Sequence, residues 1–129
     1  MMDKRLDERM DSLTGRVIGA ALEVHSILGP GYLESIYEEA LAREFNICGI
    51  AYERQKPVAI DYKGYAVGAG RLDFLIEHKV ILELKAVESI AAIHTAQILS
   101  YLKMTGLRVG MIINFNVTSL RSGIKRIIK

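Results

Sequence analysis

The chain has one cysteine in 129 residues, Cys48, so it cannot close an internal disulfide and has no second thiol for a zinc site. Its neighbours suggest a small buried hydrophobe, and no chemistry is assigned to it. No apolar stretch approaches the roughly 20 residues that a membrane-spanning helix needs. The opening Met1-Met2-Asp3-Lys4-Arg5 reads as the start of a charged amphipathic segment and not as a signal peptide, so a cytoplasmic protein with no membrane partner is expected. Charge of one sign is also scarce. Seventeen Lys and Arg against 15 Asp and Glu leave +2, too little to announce a nucleic-acid binder. Arg121, Lys125, Arg126 and Lys129 do make the last segment basic, which suits either a nucleic-acid patch or a solvated edge strand protected by charge. Linkers, internal repeats and low-complexity segments are absent as well. Half the residues are hydrophobic and a quarter charged, the balance of a soluble globular chain, and 1–129 is expected to form one domain with a real core.

What is present is regular patterning. Leu13, Val17, Ala21, Val24 and Leu28 recur at helical spacing, predicting a helix over about 3–28 that Gly29-Pro30-Gly31 stops. A second helix is predicted over 33–47, closed by Gly49, then a strand over 52–61 and a turn at Tyr62-Lys63-Gly64. Residues 71–76 and 80–85 alternate as strands around a loop, Glu77-His78-Lys79. A helix over 91–105 ends at Gly106, the run 109–115, apolar but for Asn114, suits a strand covered on both faces, and 124–128 suits a last short strand. The expected architecture is α/β: a mixed central sheet flanked by helices.

Within that pattern Glu83-Leu84-Lys85 is the outlier. In an extended strand Glu83 and Lys85 share a face, and burying a carboxylate and an ammonium costs several kcal/mol unless each finds a partner. A partly exposed strand with an ordinary ion pair would explain them alone. Asp73 changes the balance. A three-residue loop sets Ile76 opposite Val80, Phe74 opposite Leu82 and Leu72 opposite Leu84, one continuous apolar face, and so sets Asp73 opposite Glu83 on the other. Like charges facing each other destabilise a sheet, and a divalent metal between them is the economical explanation.

Two further groupings fall on helices. Gly31-x-x-Glu34-x-x-Tyr37 puts Glu34, Tyr37 and Leu41 on one inward face, although an acidic residue in a first turn is also explained by the helix dipole. Gln97-x-x-x-Tyr101 likewise shares a face, with His94 a turn earlier. The alternative there is an amphipathic helix with Ile98 and Leu102 in the core and Gln97 in solvent. His94 and His25 are read as packed, hydrogen-bonded residues.

As a set these residues resemble the PD-(D/E)XK nuclease superfamily, and within it the group called GxxExxY proteins. The likeness rests on Leu28-Gly29-Pro30-Gly31 with Glu34 and Tyr37, Gln55-Lys56-Pro57, Tyr62-Lys63-Gly64, Asp73, Glu83-Leu84-Lys85-Ala86, Gln97 to Tyr101, and Asn114-Phe115. The Gln97-x-x-x-Tyr101 pattern also resembles the helix motif of lambda-exonuclease-like and RecB-like nucleases. The resemblance implies a restriction-endonuclease-like αβββαβ core. It further implies that Asp73 and Glu83 bind Mg²⁺ or Mn²⁺, that Glu34 completes the metal site, and that Lys85 accompanies them, with Gln97 and Tyr101 orienting the site or contacting the nucleic-acid backbone. Leu72 stands where the superfamily's name has proline.

The expectation is a metal-dependent nuclease acting on DNA, exonucleolytic if the Gln97/Tyr101 pattern carries over. Its alternatives are a non-catalytic nucleic-acid-binding or regulatory protein, a structural protein with an ion-pair network, and a junction-resolvase-like endonuclease. The last would require a homodimer, since one small domain presents one site for two strands.

Overall fold

The structure, a computed structural model, describes the backbone of residues 4–129 and the side chains of residues 11–129; the expected helix start at Asp3 and the opening Met1-Met2 lie outside the described residues. Helix α1 (Lys4–Leu28) ends where the Gly29 N–H bonds the His25 carbonyl at 2.8 Å. Helix α2 (Glu34–Cys48) closes on Gly49, in the left-handed conformation that favours glycine. A meander follows, β1 (Tyr52–Tyr62), β2 (Tyr65–Ile76) and β3 (Val80–Lys85), and then α3 (Ala92–Thr105), β4 (Val109–Asn114), a 3₁₀ turn (Leu120–Gly123) and β5 (Ile124–Ile128). β2 begins six residues earlier than the 71–76 expected, because its extension pairs with β1 although most of both strands is exposed there.

The five strands lie in chain order, antiparallel except for the β3/β4 pair, so the sheet is mixed. From α2 onward the order is αβββαβ, the restriction-endonuclease-like core expected. Burial explains the layering. Leu13, Val17 and Val24 of α1 and Tyr37, Leu41 and Phe45 of α2 pack on one sheet face with Phe74, Leu82, Leu84 and Met111. Ile98, Tyr101 and Leu102 of α3 cover the other face over Ile81, Ile112 and Ile127. β4 is buried along its whole length, as its unbroken apolar run requires. β5 forms an edge and keeps Lys125 and Arg126 exposed, the charge-protected alternative. No described helix is long and apolar enough to cross a membrane.

The hairpin register is the expected one: Ile76 faces Val80 and Phe74 faces Leu82. Glu77 and His78, both at positive φ, with the Lys79 N–H bonded to the Ile76 carbonyl, form the connecting turn. Two expectations are corrected. Leu72 does not continue the apolar face of Phe74 and Leu84; it packs in the α3 layer with Ile81 and Tyr101. The alternation slips there because Gln55, which would pair with Asp73, takes a positive φ of 51° and interrupts the ladder between Arg54↔Phe74 and Lys56↔Leu72. Cys48 is exposed and not a buried hydrophobe. As the last residue of α2 it directs its thiol outward to Glu44.

Candidate functional site

The β2/β3 ladder stops at Phe74↔Leu82, one step short of the acidic pair. There the carboxylates take over from the backbone. The Asp73 N–H donates to Oε2 of Glu83 at 2.8 Å, and the Leu84 N–H donates to Oδ2 of Asp73 at 2.8 Å. Each strand's side chain thus satisfies the other strand's backbone. The two carboxylates are held close to each other. Glu83 is only 5% exposed. Burial, and then the negative charge of Asp73, push its carboxyl up to about 8, against the opposing pull of the Asp73 N–H and of Lys85. Free of any cation, the fold therefore favours the protonated form of Glu83.

Lys85, half-buried, ends β3 opposite Asn114. The segment after it is fixed by Asn114, which is almost fully buried: Nδ2 donates to the Val87 carbonyl at 2.9 Å, and Oδ1 accepts the N–H groups of Val87 and Asn116. Asn114 and Phe115 carry part of the family likeness, but a lone amide at the end of an apolar run does not announce a clamp.

Glu34 opens α2 and is exposed. Its carboxyl is raised, by partial burial first and then by Asp73, with Lys85 opposing, so it belongs to the same electrostatic neighbourhood. What aims this end of the helix is the rest of its motif. Gly31 has φ of 107°, which a side chain would strain. Tyr37 is fully buried, its hydroxyl donates to the Gly29 carbonyl at 2.6 Å and accepts the Tyr32 N–H at 3.2 Å, and its ring stacks on Phe115 at 4.6 Å. The turn before Glu34 is thereby tied to the strand end that flanks Lys85. His25 braces the same region, with Nε2 2.8 Å from the Val117 carbonyl.

Gln97 is exposed and Tyr101 nearly buried on α3, joined by a 3.3 Å hydrogen bond from Nε2 to the hydroxyl. The Tyr101 ring lies directly over Gly70 of β2, where any side chain would collide with it. Ile98 and Leu102 are in the core. No described hydrogen bond joins Gln97 or Tyr101 to Asp73, Glu83 or Lys85, so this pair flanks the acidic site three residues up β2. One residue without an assigned role emerges beside the site. Gln55 donates to Glu38 at 2.6 Å and approaches Oδ1 of Asp73 at 3.5 Å, from a strained backbone of the kind that gathers at functional sites. Glu38 in turn holds Arg54 at 2.9 Å.

Among the described residues no three His, Cys, Asp or Glu side chains form a ready-made metal cluster. The donor set nevertheless fits a hard cation. Mg²⁺ keeps several waters and is commonly held by one or two carboxylates, and Asp73 and Glu83 present two, aligned by backbone N–H groups, in a site that like-charge repulsion leaves short of positive charge.

A family model described as the PD-(D/E)XK nuclease superfamily matches residues 11–127. Comparison with curated proteins and with solved structures returned no match.

Proposed function

The chain belongs to the PD-(D/E)XK nuclease superfamily, and from that premise we propose that it is a Mg²⁺- or Mn²⁺-dependent nuclease of the GxxExxY group that hydrolyses phosphodiester bonds of DNA from an end, with residues 1–129 acting as one domain. The observation that carries the reading is the exchange between Asp73 and Glu83, which holds two carboxylates together at the open end of a ladder with Lys85 on the same strand. Ordinary packing gives no reason to keep such a pair, since apolar residues there would be cheaper.

Asp73 and Glu83 would hold the cation, with Glu34 as the outlying third carboxylate. Bound there, the metal supplies charge stabilisation for the phosphoryl oxygens and a more acidic water. The chain's own residues do the rest. Glu83 would serve as a ligand in its ionised form, the form that a bound cation would favour. Lys85 sets a compact positive charge beside the scissile phosphate or its attacking water. Gln55 steadies Asp73, and Asn114 holds the backbone beyond Lys85, whose positive charge acts on Glu83 and Glu34. Gln97 and Tyr101, linked to each other, line the approach along β2 and contact the DNA backbone.

The test is cleavage of labelled linear duplex, circular and single-stranded DNA with Mg²⁺ or Mn²⁺, beside Glu83→Ala and Lys85→Ala proteins. Metal-dependent cleavage abolished by both substitutions supports the reading, and spared circles support attack from an end. Absence of both cleavage and calorimetric metal binding would overturn it.

A further inference from the structure

β1 and β2 run on beyond the sheet as a free two-stranded arm. Residues 59–69 are exposed except for half-buried Ile60, and β3 joins β2 only at Phe74–Ile76. The arm is nonetheless held by its own pairing, from Ala59↔Ala69 to Tyr62↔Tyr65, with one irregularity between Ile60 and Asp61. Its tip is the two-residue loop Lys63-Gly64, both residues at positive φ, the conformation that matches the twist of a hairpin. The Gly64 N–H is held by the Asp61 carboxylate at 3.1 Å. This is a stiff projection with no packing role.

Its chemistry is concentrated at the two ends. Tyr62 and Tyr65 are 59% and 73% exposed, and as a cross-strand pair they share one face. Lys63 lies 5.5 Å from the centre of the Tyr62 ring. At the base, exposed Arg71 sits two residues from Asp73. The eight steps along β2 from Tyr65 to Asp73 span about 27 Å as a strand, so one continuous element leads from the aromatic tip to the acidic pair.

We infer that this arm is a stacking finger for the single-stranded part of a nucleic-acid substrate: unpaired bases stack on Tyr62 and Tyr65, Lys63 takes the adjoining phosphate, and Arg71 takes one farther along the strand toward the acidic pair. The inference rests on the nuclease reading and adds the substrate class, a strand with unpaired bases. Aromatic pairs accept any base because every base has a π-face, whereas bases inside a duplex are not offered. The charge agrees. Lys63 and Arg71 are opposed on the arm only by Asp61, whose carboxylate is engaged by the turn, while Lys56 nearer the sheet is taken by Glu53 at 2.9 Å. A second copy of the chain fits the arm less well. Beyond Tyr62, Tyr65 and exposed Val67 its side chains are small, Ala59, Ala66, Gly68 and Ala69, and a stable protein interface needs about 800 Å² on each partner around bulky anchors.

The experiment is fluorescence anisotropy of the full chain in EDTA, so that nothing is cut, with a labelled oligo-dT and a labelled blunt duplex. It compares wild type, Tyr62→Ala/Tyr65→Ala and Tyr62→Phe/Tyr65→Phe, with sedimentation and thermal melting of each. The expected result is a loss of oligo-dT affinity of about 10- to 100-fold in the double alanine protein, little change on the blunt duplex, recovery with phenylalanine, and unchanged mass and melting. Equal oligo-dT affinity in the alanine protein, equal losses on both probes, or a dimer that the alanines dissociate would overturn the finger. A wild type that cleaves DNA while the alanine variant binds normally sinks only this inference. A wild type that neither binds nor cleaves nucleic acid sinks the nuclease reading with it.

Discussion

Glu83→Gln isolates the electrostatic cost of the acidic pair. The native carboxyl titrates near 8 instead of near 4.5, so its protonated form is the one the fold prefers. Stability tied to this group is fully present below pH 4.5 and is lost as pH rises through about 8, because the unfolded chain releases the proton more readily than the folded one. At about 1.36 kcal/mol per pH unit the ceiling is about 4 kcal/mol by pH 8, and the expected loss, after relaxation around the buried carboxylate, is about 2–4 kcal/mol. That is a large part of a typical total of about 5–15 kcal/mol. Glutamine keeps the shape. Its carbonyl oxygen can still accept the Asp73 N–H, and its amide can donate to the Asp73 carboxylate. The assay is urea unfolding in EDTA at pH 5, 6.5 and 8 for both proteins, and their difference cancels every titrating group they share. The variant should overtake wild type with rising pH, by about 2–4 kcal/mol at pH 8. Mg²⁺ should then stabilise wild type and not the variant. Parallel stability curves between pH 5 and 8 would refute the reasoning, since Glu83 would then be no costlier to ionise in the fold than outside it.

Tyr37→Phe removes the donor to Gly29 and the acceptor for the Tyr32 N–H while keeping the stack on Phe115, and should cost about 1–3 kcal/mol in thermal unfolding and reduce cleavage through a loosened Glu34 turn. Gly70→Ala drives a methyl group into Tyr101; a loss of about 1–3 kcal/mol and slower cleavage with Mg²⁺ binding retained by calorimetry are expected. Lys85→Met keeps the aliphatic stem at the end of β3, so circular dichroism and metal affinity should stay near wild type while cleavage falls at least about 100-fold.

Much of the frame was legible because its signals are local. The helical recurrence of Leu13, Val17 and Val24, the apolar run of β4 and the glycines that close α2 and α3 each act within a few residues. The Glu77-His78-Lys79 loop was enough to set Ile76 against Val80, and with it the approach of Asp73 to Glu83. The site was legible as residue types and not as geometry. Tyr37 read as one more inward residue of an amphipathic helix, whereas its work is done by a hydroxyl reaching back to Gly29. Gln55 and Asn114 had no local signal for a role, since a side-chain amide becomes a clamp only when a second segment arrives beside it.

By itself, then, the sequence determined the order of elements, the hairpin register and the candidate acidic pair, because alternation, helical period and turn length are properties of neighbouring residues. Only the tertiary structure decided that the ladder opens at the pair and that carboxylates replace carbonyls as acceptors there, a competition between groups ten residues apart. It alone moved Leu72 to the α3 layer, through a kink in a different strand at Gln55, and left the β1–β2 arm bare, because no sequence period records whether another element will come to cover a strand.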